Sequence, residues 1–115
     1  MGSPATPLPT TAVHILVALA AGPLHGYGIM SDVAALTDGT VRLAPGTLYT
    51  NIKRLLMARL IEETDPPLDA TSDDPRRRYY RLTPLGQAAV AAEIDRMDRL
   101  VQRARAAGPT SSRPA

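Results

Sequence analysis

Cysteine, tryptophan and phenylalanine are missing from this chain of 115 residues, and its aromatics are all tyrosine: Tyr27, Tyr49, Tyr79 and Tyr80. Without cysteine there can be no disulfide and no thiolate metal site, a composition compatible with a reducing cytoplasm. The two histidines, His14 and His25, are far apart and lack an H-x-x-x-H spacing, so no metal site is expected. Long apolar runs are missing too. The longest, Ile15 to Ala21, falls well short of the ~20 residues that span a bilayer, and no basic segment of a signal peptide precedes it. The chain therefore reads as a soluble cytoplasmic protein with no membrane partner. Also absent are a glycine-rich phosphate loop, a nucleophile beside a plausible base, and paired acids in an apolar setting. Ser31 next to Asp32 is ordinary helix-surface chemistry. An enzyme is not expected, nor any cofactor.

Lysine is nearly absent: all of the 13 cations except Lys53 are arginine. The formal charge is only +2, so no overall basic field announces a polyanion partner. The charges are segregated instead. Arg76, Arg77, Arg78 and Arg81 cluster, while acids collect at Glu62, Glu63, Asp65, Asp69, Asp73 and Asp74.

The rest of the chain is arranged around Ala44-Pro-Gly-Thr-Leu-Tyr-Thr-Asn-Ile-Lys-Arg-Leu-Leu-Met-Ala-Arg-Leu-Ile61. Pro45 presets a first helical turn, where its missing N–H costs nothing. Leu48, Ile52, Leu55 and Leu56 recur at i, i+4, i+7 and i+8, one apolar stripe of a helix. The opposite face carries Gly46, Thr47, Thr50, Lys53, Arg54 and Met57, with Tyr49 on its border, and contains no acid. Such a helix can lie in a DNA major groove with its first turns at base edges and its cations near phosphates. A merely solvated helix face is the plain alternative.

Around it the organisation is that of one small domain. Residues 1–10 hold three prolines plus Gly, Ser and Thr and form a disordered lead-in by composition. Thr10 or Thr11 can cap a first helix over 11–21, with Val13, Leu16, Leu19 and Ala20 inward and Ile15 available to a second surface. Gly22-Pro23 stops it. A second helix opens at Leu24-His25-Gly26-Tyr27 and runs to about Thr37 on Ile29, Met30, Val33 and Leu36, with His25 serving its N-terminus. Asp38-Gly39 signals a turn, and Val41 to Leu43 a short extended piece. After the organising helix, Ile61–Asp65 and Arg76–Leu82 read as two strands joined by a proline-rich loop over 66–75. Period-2 alternation puts Arg76, Arg78, Tyr80 and Leu82 on one side of the second strand and Arg77, Tyr79 and Arg81 on the other. Thr83-Pro84 caps a last helix over 83–107, ended by Gly108-Pro109, and 108–115 is a disordered tail. Val90, Ile94, Met97, Val101 and Ala104 fall at spacings of 4, 3, 4 and 3, the seam of a helix pair or short coiled coil. Packing against the chain's own helices is the alternative, but sustained heptad-like spacing favours a second copy. The expected fold is thus mainly α with a small β-ribbon: a winged helix-turn-helix over 11–82, three helices and a two-stranded wing, plus a C-terminal dimerisation helix.

Pro23-Leu-His-Gly-Tyr-Gly-Ile29, Ala44-Pro-Gly-Thr-Leu-Tyr49, Lys53-Arg-Leu55, Leu60-Ile61 and Arg78-Tyr-Tyr-Arg-Leu-Thr-Pro-Leu-Gly86 resemble the PadR family of bacterial transcriptional regulators, over about residues 12–105 and in the family's order. The resemblance is to the shorter members with a single C-terminal helix. It implies a homodimer that binds double-stranded operator DNA, with the Pro45 helix in the major groove, the 66–75 wing against the backbone and the 83–107 helices holding the dimer. Family members typically repress a nearby operon, and some release DNA when a small aromatic compound or drug binds at the dimer. Stacking of a flat drug between tryptophans is excluded here, which leaves a smaller pocket lined by Ile15, Leu19, Met97 and Val101. The chain departs from the family at Thr50, often Pro, at Leu56, often an acid, and at Arg59, usually Gly. That glycine suits a left-handed helix end, so Arg59 either adopts this conformation at a cost of about 1 kcal/mol or the helix ends differently.

The candidate DNA-binding residues are therefore Arg42, Gly46, Thr47, Tyr49, Thr50, Lys53, Arg54, Arg76, Arg77, Arg78 and Tyr79. The wing arginines would hold phosphates without reading sequence, their alternative being neutralisation by Asp73 and Asp74. Thr47, Tyr49 and Thr50 are the base-edge candidates, and Arg42, Lys53 and Arg54 add backbone contacts, Arg54 with a guanine as its other option. Tyr27, Tyr79 and Tyr80 have core roles as alternatives, and at least one of the last two is expected to be structural. The candidate dimer interface is Ile15, Leu19, Val90, Ile94, Met97, Val101 and Ala104. A competing function is a winged-helix protein-interaction module that uses the acidic loop and the helical seam.

Overall fold

The computed structural model describes residues 7–68 and 77–108. The order is α1 (Thr10–Ala20), β1 (Leu24–His25), α2 (Gly26–Leu36), α3 (Pro45–Met57), β2 (Ile61–Thr64), β3 (Tyr79–Leu82) and α4 (Pro84–Ala107). Most of the expected lead-in and tail, the greater part of the 66–75 loop, and Arg76 lie outside the described residues.

α1 is the central element, in contact with α2, α3, β3 and α4. It buries Ala12, Val13, Ile15, Leu16, Ala18 and Leu19, almost all round its circumference. Its N-cap is Pro9, with no side-chain cap, rather than a threonine. The single inward stripe expected from Val13, Leu16, Leu19 and Ala20 is corrected by this: Ala20 is exposed, and Ile15 faces the protomer's own core. Neighbours on several sides suit a helix that is apolar nearly all round. α2 sets Ile29 and Val33 into the same core, and α3 adds Leu48, Ile52 and Leu55. Leu36 is exposed instead of buried.

The sheet holds three antiparallel strands in the order β1-β3-β2, one more than the expected ribbon. Leu24 pairs with Tyr80 and His25 with Tyr79, while β2 runs from Ile61 opposite Leu82 to Thr64 opposite Tyr79. The added strand is two residues long, too short for periodicity to register, and exists because β3 offers it a free edge. Val41 to Leu43 forms no strand. β3 itself begins at Tyr79, so Arg77 and Arg78 precede it. Tyr80 and Leu82 join the core as alternation requires, yet Tyr79 is buried as well, because the His25 ring stands edge-on 5.1 Å from it.

Two helix ends govern how the wing is carried. Arg59 has φ +63°, the left-handed conformation, and it closes α3 in a Schellman motif: Leu60 N–H donates to Leu55 C=O and Arg59 N–H to Leu56 C=O, both at 3.0 Å. Thr83 Oγ1 accepts from Gly86 N–H at 2.9 Å, capping α4, and donates to Arg59 C=O at 2.6 Å. Gly86 lies so close to Leu60 that a Cβ there would overlap the Leu60 carbonyl oxygen. The end of α3, the root of the wing and the start of α4 thus form one joint.

α4 extends for 24 residues and ends on Gly108 in the left-handed conformation. Its first half packs on α1, where Val90 belongs to the core and Glu93 is buried. The Glu93 carboxylate accepts from the Leu8 backbone N–H at 2.8 Å and from Arg96 at 2.7 Å. Leu8, assigned by composition to a disordered lead-in, is held to α4 by this bond. Beyond Glu93 the apolar seam residues stay partly open among the described residues: Ile94, Met97 and Val101 are 46%, 41% and 44% exposed.

Candidate nucleic-acid interface

α3 presents its outward face as its spacing requires. Gly46, Thr47, Tyr49, Thr50, Lys53 and Arg54 are all exposed, while Leu48, Ile52 and Leu55 lock the helix to the body. Asn51 donates to the Thr47 carbonyl at 2.9 Å. The exposed face carries hydroxyls near its N-terminal end and cations further along, with no carboxylate. Approached by DNA, the helix N-terminus and the two cations contribute charge of one sign.

The tertiary fold brings a second group to this face. Tyr49 leans from α3 onto Gly26 so closely that a Cβ at Gly26 would overlap its hydroxyl. Around that contact lies a cleft of about 330 Å³ lined by His25, Gly26, Tyr27, Tyr49, Arg77, Arg78 and Tyr80. The start of α2, Tyr49 on the border of the exposed α3 face and the base of the wing therefore share one concavity. Arg78 also reaches Glu63 at 3.1 Å, and Arg81 reaches Glu62 at 2.8 Å, cross-strand pairs in the open. At such exposure a pair of this kind contributes about 0–1 kcal/mol and gives way readily to a phosphate. Burial first, and then the Glu63 carboxylate, pushes the Tyr80 hydroxyl above its ordinary range.

Of the remaining candidates, Arg42 is exposed on the far side of Tyr27, where it lines a separate hollow with Met30, Ser31 and Leu43. Tyr79 is not available to DNA: it is 8% exposed and covered by His25. Both Tyr79 and Tyr80 are structural. Ile15, Leu19 and Val90 are corrected as interface residues, and Ile15 and Leu19 as pocket residues. All three belong to the protomer's core, at 0%, 2% and 9% exposure. Ile94, Met97, Val101 and Ala104 stay exposed on α4.

Four members of the cleft, His25, Gly26, Tyr27 and Tyr80, are absent from the sequence-derived set of DNA contacts. Tyr27 is 68% exposed, so the core role open to it as an alternative does not hold. Its spacing from Ile29 and Val33 carried the signal, since positions two and six removed lie on the opposite face of a helix. His25 caps α2 through Nδ1, which accepts from Gly28 N–H at 2.9 Å, as expected of a residue serving that N-terminus. Its other nitrogen faces Arg77 at 2.6 Å, a meeting of residues 52 apart that no local pattern announces.

Residues 15–92 match the family described as the Transcriptional regulator PadR-like family. The chain belongs to that family. It is 30% identical over 90 residues to Transcriptional regulator Rv3488 of Mycobacterium tuberculosis, a match covering 78% of each chain. It is also 37% identical over 86 residues to an uncharacterized 37.1 kDa protein in a transposon of Streptomyces fradiae, where it covers 75% of this chain but only 22% of the longer protein. Among solved structures, a PadR-like transcriptional regulator from Bacillus cereus has the same fold, with a TM-score of 0.69 at 21% identity over 88% of this chain and 93% of the other. PadR-like proteins are transcriptional regulators, not enzymes. Among the described residues no helix is long and apolar enough to cross a membrane.

Proposed function

We propose that this PadR-like chain is a dimeric, sequence-specific DNA-binding repressor that takes an inverted-repeat operator, with α3 in the major groove and the wing on the flanking backbone. The observation that carries this reading is the shared cleft. It joins Tyr49, on the border of the acid-free face of α3, to Arg77 and Arg78 at the wing base, which supports groove and backbone contacts from one side of the domain. Thr47, Tyr49 and Thr50 are the base readers in this arrangement, and Lys53, Arg54, Arg77 and Arg78 hold phosphates. In a dimer the two α3 helices address half-sites about one helical turn, or a multiple of it, apart.

The uncovered stripe Ile94, Met97, Val101 and Ala104 on α4 supports pairing with a second copy. With Ile15 and Leu19 in the core, an aromatic effector would have to seat against Met97 and Val101 at that seam. The DNA reading is tested by sequencing duplexes selected from a random pool, then measuring the winner in a gel shift with K53A/R54A. The double variant should bind at least tenfold more weakly, since two charged contacts of ~1.5 kcal/mol or more are removed. Undiminished affinity would refute the assignment of α3 as the recognition helix.

A further inference from the structure

His25 occupies a position that its hydrogen-bonding chemistry does not by itself satisfy. Nδ1 accepts from Gly28 N–H at 2.9 Å, so the neutral ring carries its proton on Nε2. Nε2 stands 2.6 Å from Arg77 Nη1, and a guanidinium has donors only. Moving the proton to Nδ1 frees Nε2 to accept from Arg77 but sets N–H against N–H at Gly28. Protonating both nitrogens produces that clash and adds a second positive charge beside Arg77. In every protonation state one donor is aimed at another. An anionic oxygen with several lone pairs, placed against Nε2–H and the guanidinium together, resolves the conflict.

The surroundings fit such an oxygen. Arg77 precedes β3, Arg78 lies next to it, and the Tyr27 and Tyr49 side chains line the same cleft, which has no acid among its described lining residues. Among the described residues, the charged and titratable groups around His25 are Arg77, Arg78 and Tyr79 from the wing strand and its approach, Tyr27 on α2, Tyr49 and Tyr80 across the cleft, and Glu63 on β2, which Arg78 engages. Asp32 on α2 sits by a different hollow with Leu24.

We propose that the cleft is an oxyanion seat in which His25 Nε2 and Arg77 jointly hold one tetrahedral oxyanion, and that a phosphate of the DNA backbone fills it beside the groove taken by α3. The proposal rests on the DNA-binding reading for the source of the phosphate, but the seat itself is a property of the His25–Arg77 pair. Without an anion, burial and then the neighbouring Arg77 charge hold His25 below its ordinary pKa. An anion seated against the two groups together opposes the Arg77 effect and raises it. Binding therefore takes up protons, and affinity for the oxyanion increases as pH falls through the His25 titration.

The test uses the full chain and proton NMR of its two imidazoles, with H25N to assign them. Asparagine still caps α2 through its side-chain oxygen, so this variant removes Nε2 while keeping the helix start. The probes are sodium sulfate, with chloride at matched ionic strength as control, and a random-sequence 20-base-pair duplex. The duplex should move the His25 titration to higher pH. H25N should weaken duplex binding by about 3–10-fold and R77A by roughly tenfold or more, with the H25N deficit larger at pH 6 than at pH 8. A His25 shift with sulfate as well supports a seat that also admits free oxyanions, whereas a shift with duplex alone supports one shaped for backbone phosphate. Duplex retained with an unmoved His25 overturns the seat and leaves DNA binding standing. A sulfate-dependent shift with no duplex retained does the reverse, and no response to either probe removes both.

Discussion

Arg59 shows how one residue can hold a conformation its type disfavours. Its φ of +63° would suit glycine, and the Schellman bonds from Arg59 and Leu60 hold it there. A side chain in the left-handed region costs roughly 1 kcal/mol. R59G should therefore stabilise the protein by about 1 kcal/mol, raising Tm by roughly 4–8 °C for a domain of this size at matched protein concentration. Thermal unfolding followed by circular dichroism measures it, and a lowered Tm would mean that the arginine side chain contributes more than its backbone costs. Glu93 is a second residue set by its surroundings. The Leu8 N–H is the main cause of its depressed pKa, aided by Arg96 and opposed by burial. A carboxylate whose folded pKa is depressed adds stability that is complete above its unfolded value of about 4.3 and is lost as pH falls through the folded value. E93Q keeps an acceptor for Leu8 but not the charge. The stability difference between wild type and E93Q should accordingly shrink as pH drops from about 5 to about 3, measured by urea unfolding. A difference that is flat over this range would show that the charge of Glu93 is immaterial.

The wing and α3 act as elements, and their division of labour is separable by salt. Contacts to phosphate release counterions, so each one adds about 0.9 to the slope of log K against log salt for duplex DNA. Replacing Arg76, Arg77 and Arg78 by alanine should flatten that slope by about 2–3. An unaltered slope would place the wing off the backbone. α3 was readable as an element because three independent signals agree along it: Pro45 at its start, the Leu48, Ile52 and Leu55 stripe, and an outward face free of acids. α4 was readable for the same kind of reason, with Thr83-Pro84 at one end and Gly108 at the other. β1 was not, because two residues carry no period and the strand depends on the edge of β3.

At the scale of the whole molecule, the uncovered stripe on the outer half of α4 is the feature with the largest consequence. Val101 is 44% exposed in the protomer and stands between Met97 and Ala104 on the seam. If two copies bury this stripe, V101E sets a charge into an apolar contact and should shift the sedimentation profile to monomer at micromolar concentration. The protomer's own core lies elsewhere, so V101E should unfold at nearly the wild-type denaturant midpoint once dimer linkage is accounted for. A profile identical to wild type would exclude the seam.

The local chemistry of the residues was enough to settle the helices, the Thr83 cap and Gly108 end of α4, the acid-free face of α3 and the family. Each of these depends on near neighbours in the chain, through helical spacing, a proline at the first turn or a glycine after the last. Which sides of α1 are covered depends on how many elements surround it, and the chain encloses it from several directions. Ile15 therefore went to the core, although its spacing left it free for a second surface, and Leu19 lies in the core with no part left for a partner. Tyr79 was likewise decided by a neighbour in space, the His25 ring. The meeting of His25 with Arg77 across 52 residues exists only because β1 pairs with β3. Such contacts follow from closing the chain on itself, and only the folded molecule supplies them.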